Sequence, residues 1–151
     1  MLKSFKFKHT LPNRNKVTGL RLYKKEKLCS LTAIEQMFSP SAKADGGNNS
    51  VMAYPWRAVW RRSPRPDGCT CPKFLISVPK KRLKKAVDRV RMRRVMREAY
   101  RLGRVAELAE QPVDIVFIYV ADKLTPHTMA QKSVRRILSR IAESLTTKTE
   151  E

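Results

Sequence analysis

The sequence predicts a small single-domain α+β sandwich. Its 151 residues suffice for one domain with tails, since about 100 residues can bury an independent core. Helical and strand periodicities alternate along the chain rather than segregating into halves. Two short apolar runs, Phe74–Val78 and Val113–Val120, flank a long helical pattern, which is the arrangement of a β-α-β unit.

Taken in order, residues 1–20 mix Lys, Asn, Thr and Gly without sustained period and read as a flexible basic arm. Thr32-Ala33-Ile34-Glu35 reads as a capping box, with Thr32 as N-cap, Glu35 three residues on and Leu31 as a staple. The helix it opens runs to about Phe38. Ile34 and Phe38 share a face, which ordinarily would be core. Ser39–Ser50 collects turn formers and predicts a mobile loop. Val51–Arg62 then alternates with period two, predicting strand that tolerates Pro55 at an edge; three strands' worth of sheet precede the basic helix if one strand is split. Either tryptophan suits core burial, Trp56 more than Trp60, while Trp60 beside Arg57 also suits stacking on unpaired bases.

Ser63–Pro72 holds three prolines and Asp67-Gly68, so it is a hairpin connection or a longer loop. Phe74–Val78 is almost wholly apolar, as a sheet centre requires, and Pro79 ends it. A helix from about Lys84 to Leu102 follows, loosened by Gly103. Val113–Val120 is a buried strand by length and β-branched content. Thr125-Pro126 supplies N-cap and N1 for a last helix. Its apolar face is Ala130, Val134, Ile137, Leu138, Ile141 and Leu145; Lys132, Arg135, Arg136 and Arg140 lie outside that face. Residues 146–151 read as a polar tail, leaving 21–145 as the domain.

Charge dominates the centre of the chain. Lys80–Arg104 carries twelve Lys/Arg against two acids, Asp88 and Glu98. At 100° per residue, Arg89, Arg93, Arg94, Arg97, Arg101 and Arg104 share an arc of about 140°, opposite Met92, Val95, Met96, Ala99 and Leu102. Like charges four apart repel by a few tenths of a kcal/mol per pair. A solvated face normally mixes signs, so this guanidinium ladder points to a polyanion.

The residues Ala86-Val87-Asp88-Arg89-Val90-Arg91-Met92-Arg93-Arg94-Val95-Met96-Arg97-Glu98-Ala99 resemble the signature helix of the protein subunit of bacterial ribonuclease P. The signature reads roughly A-V-x-R-N-x-x-K-R-x-x-R-E. Upstream, Ile76-Ser77-Val78-Pro79-Lys80-Lys81 resembles the strand that ends in V-S-K-K in that family. Val90 stands where the family has Asn, Pro79 replaces Ser, and Arg93 replaces Lys. Similarity extends more weakly over about Arg21–Ile141. The resemblance implies the order αβββαβα. It also implies a rare left-handed β-α-β crossover, where the general rule favours the right-handed form.

The resemblance further implies a division of labour. A catalytic ribonuclease P RNA cleaves precursor tRNA with bound Mg2+, while the protein binds that RNA and the 5′ leader in the cytoplasm. The implied RNA-binding residues are Lys80, Lys81, Arg89, Arg91, Arg93, Arg94, Arg97 and Arg101. Ile34, Phe38, Arg57 and Trp60 would mark the leader cleft.

Composition is consistent with that role. A net charge of +20 and a pI near 10.5 predispose the chain to phosphates, and 42% hydrophobic residues argue against wholesale disorder. No apolar run approaches the ~20 residues of a membrane span, and no membrane partner is expected. Cys69-Thr70-Cys71 lacks a second Cys pair, so free thiols are expected rather than zinc. Asp88, Glu98, Asp114 and Asp122 are scattered, and His9 and His127 have no nucleophile at a useful spacing. Neither a protein-borne active site nor a protein-bound cofactor is therefore indicated. A structural RNA-binding protein of ribosomal type is the alternative. A helix-turn-helix DNA binder fits less well, because the basic helix follows a strand.

Overall fold

The computed structural model describes residues 21–40, 48–65 and 68–147. The expected basic arm, most of the 39–50 loop and the last four residues lie outside them. The elements are α1 (Leu31–Phe38), β1 (Asn49–Ala53), β2 (Trp56–Arg62), β3 (Lys73–Ser77), α2 (Ala86–Leu102), β4 (Val113–Tyr119) and α3 (His127–Thr147). The fold is a small α+β single domain in the order αβββαβα, as expected.

The run 51–62, read as strand patterning with a split left open, is a hairpin. Ala53 pairs with Trp56 and Asn49 with Trp60, so the chain reverses at Tyr54-Pro55, a cis peptide. Pro55 sits in the turn, where no ladder N–H is required of it. The four strands are ordered β1-β2-β4-β3, with β4 antiparallel to β2 and parallel to β3. Segment 63–72 is therefore not a hairpin connection: it carries the chain past the position that β4 fills. β3, α2 and β4 form the expected β-α-β unit.

Alternation assigns each strand residue to one face of the sheet. Trp56, Ala58, Trp60, Phe74, Ile115, Phe117 and Tyr119 face α2 and α3 in the main core. Val59, Leu75, Val116 and Ile118 face the other way, where Leu28, Ile34 and Met37 cover part of the surface. α2 contributes Met92, Met96, Ala99 and Tyr100 to the main core. Tyr100, not Leu102, completes the buried arc, with its ring 4.1 Å from that of Phe74 between centroids. At Gly103 an added Cβ would come within 2.9 Å of the Ala99 carbonyl oxygen and 3.4 Å of Arg135 Cγ, so the end of α2 needs glycine for space.

Two helix starts differ from expectation. Ser30, not Thr32, caps α1: its Oγ accepts from the Ala33 N–H at 3.4 Å. Leu31 is 74% exposed and staples nothing. α3 begins one residue after Pro126 and continues through Thr147, two residues into the segment read as a tail.

A buried ion pair fastens the connection between β2 and β3. Arg65 Nη2 lies 2.7 Å from Asp114 Oδ1, with both side chains nearly inaccessible. The same guanidinium donates to the carbonyl oxygens of Cys71 and Val113. Cys69 and Cys71 are buried beside it with their sulfurs 2.8 Å apart, and burial pushes the Cys71 thiol up to about 11.

Candidate nucleic-acid interface

The basic helix divides its arginines between structure and solvent. Arg89 Nη1 donates to the carbonyls of Leu83 and Lys84 at 2.9 and 2.7 Å, clipping the turn that opens α2. Arg101 Nε donates to Glu98 at 2.9 Å, a hydrogen bond that holds the Glu98 carboxyl below its ordinary value. Arg104 pairs at 2.7 Å with the buried carboxylate of Glu26, and also donates to the Arg21 carbonyl. Half of the six-arginine ladder thus already has acceptors within the protein.

Arg91, Arg93, Arg94 and Arg97 project outward, and no protein acceptor meets their side chains among the described residues. Val87 and Val90 share this surface at 77% and 41% exposure. Val90 is thus an exposed member of the arginine arc. Lys80 and Lys81 are exposed in the connection before α2. Arg97 reaches a hollow of about 380 Å³ whose other walls include Tyr23, Lys24, Lys27 and Phe74. Lys24 and Lys27 extend the basic surface, and sequence reasoning missed them. They join it because the Leu28 N–H donates to the Phe74 carbonyl at 3.0 Å, laying segment 27–28 along β3. One isolated bridge leaves no periodic signal.

A second candidate surface lies on the opposite face of the sheet. A cleft of about 360 Å³ runs between the end of α1 and the sheet, lined by Met37, Phe38, Asn48, Asn49, Ser50, Arg57, Val59 and Ile118. Phe38 is 49% exposed and forms a wall. Arg57 projects from β2 beside the apolar floor of Val59 and Ile118. Asn48 Nδ2 donates to the Met37 carbonyl at 2.5 Å, and Arg61 Nη2 to Gln36 Oε1 at 3.0 Å, fixing α1 against the sheet.

Two of the expected cleft residues lie elsewhere. Trp60 is 1% exposed in the main core, on the opposite face from Arg57. The two positions differ by an odd number, so a pleated strand must send them to opposite sides. Ile34 packs against the smaller core of Leu28, Met37 and Val116, beneath the cleft and not along it.

The ribonuclease P family model matches residues 22–142, which spans both surfaces. The chain belongs to the ribonuclease P protein family. The ribonuclease P protein components of two strains of Porphyromonas gingivalis are each 32% identical over 102 residues, covering 64% of this chain and 74% of theirs. The fold also matches the ribonuclease P protein of Staphylococcus aureus. That match has a TM-score of 0.59 at 19% identity, covering 77% of this chain and 94% of that one. A Staphylococcus aureus variant with defective mRNA degradation activity matches with the same TM-score at 21% identity, covering 78% and 89%.

Membership makes this chain the protein component of a ribonucleoprotein endoribonuclease that matures tRNA 5′ ends, and its partner is the ribonuclease P RNA. Among the described residues, no group of three or more His, Cys, Asp or Glu side chains could hold a metal ion. No described helix is long and apolar enough to cross a membrane.

Arg93→Ala and Arg97→Ala should each lower the magnitude of the log–log salt slope of RNA binding by about one unit for each phosphate left unneutralised. Titrations at several salt concentrations measure it. Parent slopes in both variants would show that neither arginine meets a phosphate.

Proposed function

We propose that the two surfaces serve two RNAs. The outward arginines of α2, with Lys80 and Lys81, hold the backbone of the catalytic RNA. The cleft between α1 and the sheet takes the unpaired 5′ leader of precursor tRNA. The observation that carries this reading is the lining of the cleft: a half-exposed Phe38 and an exposed Arg57 over an apolar floor, rimmed by amide and hydroxyl side chains. A single strand can stack a base on an aromatic ring and place phosphates near guanidinium groups. Duplex RNA does not offer its bases in that way.

In this reading residues 21–145 are the RNA-binding domain and the first twenty residues add basic charge that attracts RNA at long range. The β3–α2–β4 crossover has the left-handed sense of the family. Mg2+ belongs to the RNA, which performs the hydrolysis, and the particle works in the cytoplasm. The protein raises the affinity for leader-bearing substrate.

Reconstitution with a bacterial ribonuclease P RNA at low magnesium tests the whole reading, with release of a 5′ leader as the expected result. Phe38→Ala and Arg57→Ala test the cleft. Each should weaken binding of precursor tRNA more than mature tRNA, Phe38→Ala by ~1–3 kcal/mol if one base stacks there. Equal losses for the two RNAs would exclude the cleft as the leader site.

A further inference from the structure

α3 carries a second run of cations that neither surface above uses. Lys132, Arg136 and Arg140 stand four residues apart, and all three are exposed. At 1.5 Å per residue they recur about every 6 Å along one stripe of the helix. Arg135 lies at the margin of this arc with its stem on Gly103. Glu143 is the sole acid in the sequence of α3. Glu143 falls in the same arc, but only beyond Arg140. The stretch from Lys132 to Arg140 therefore presents cations alone on this face, where a solvated face usually interleaves signs.

The place of the stripe in the fold separates it from α2. Arg140 Nη1 donates to the Met52 carbonyl at 3.4 Å, and Ser133 Oγ to the Tyr54 carbonyl at 2.6 Å, so α3 runs beside β1 and its turn. Tyr54 and Met52 are 59% and 56% exposed there. Arg97 of α2, by contrast, shares its hollow with Phe74 of β3. β1 and β3 are the two opposite edges of the sheet. Three strand spacings separate them, roughly 14 Å. The cleft lies on the other face of the sheet altogether.

We propose that Lys132, Arg136 and Arg140, with Tyr54 at their end, form a second RNA-binding edge that holds the backbone of a double-helical RNA segment. The stripe is a row of exposed cations on the outer face of a helix, which suits phosphates and sugars, not sequence. The Tyr54 hydroxyl can donate to a phosphate or exchange hydrogen bonds with a 2′-OH. With α2 on the opposite edge, the domain bridges two segments of the folded RNA.

The test is the triple variant Lys132→Gln/Arg136→Gln/Arg140→Gln, bound to a bacterial ribonuclease P RNA transcript. The salt slope should fall by about two to three units, one for each phosphate that the stripe no longer neutralises. Hydroxyl-radical footprinting should lose one protected duplex segment and keep the segment that Arg93→Gln/Arg97→Gln removes. Binding of a single-stranded leader oligonucleotide should not change, which keeps this proposal separable from the cleft assignment. An unchanged slope and footprint would overturn it, as would loss of the same segment in both variants. If the triple variant melts early, Lys132→Gln/Arg136→Gln, which spares the hydrogen bond to Met52, carries the same two readouts.

Discussion

Replacing Trp60 by alanine should destabilise the domain by about 3–5 kcal/mol, the range for emptying a buried aromatic site. The side chain is 1% exposed among Trp56, Ala58 and the apolar faces of the helices. Its indole N–H has no hydrogen-bond partner among the described residues, so packing is what it contributes. Chemical denaturation of parent and variant measures the loss. Affinity for precursor and mature tRNA should then change in parallel, because the ring does not reach the cleft. A variant of parental stability that loses only leader binding would contradict the burial.

Asp114→Ala should be comparably severe, at about 3–5 kcal/mol, for an electrostatic reason. The Asp114 carboxylate is nearly inaccessible and meets Arg65 at 2.7 Å. Removing it strands a buried guanidinium, and an uncompensated charge in that setting costs far more than the intact pair contributes. The double variant Arg65→Met/Asp114→Leu should recover much of the loss, since it removes both charges and fills similar space. Urea midpoints for the three proteins decide it. A small effect of Asp114→Ala alone would mean that the Cys71 and Val113 carbonyls suffice to hold the arginine.

These two residues also show where sequence reasoning stops. The apolar run Val113–Val120, the β-α-β unit and the exposed arginines of α2 are legible because each is a local pattern. For 51–62 a split strand is an open alternative, but its position is not legible, because a two-residue turn leaves alternation on both sides intact. Alternation did contain the answer for Trp60. Arg57 and Trp60 are an odd step apart, and parity alone separates an outward arginine from an inward tryptophan. For α2, an amphipathic wheel assigned Leu102 to the core in place of Tyr100. A tyrosine ranks below leucine on hydrophobicity, and the stacking of Tyr100 on Phe74 is a tertiary fact. The partners of Asp114 and Glu26 come from distant segments, Arg65 and Arg104, and no spacing rule anticipates them.

β4 is the last strand in sequence, yet it lies between β2 and β3 and joins them. Trp60 must await Ile115 and Phe74 must await the same residue before either strand gains its inner neighbour. Such long-range pairing closes slowly relative to local helices. During synthesis on the ribosome, the β1–β2 hairpin emerges with the β2 edge that β4 later covers still open, and an open edge invites pairing with other chains. Arg57, Arg61 and Arg62 lie on that strand, so like-charge repulsion discourages two nascent copies from joining there. Arg57, which the proposed leader cleft uses, would thereby also guard the unfinished strand.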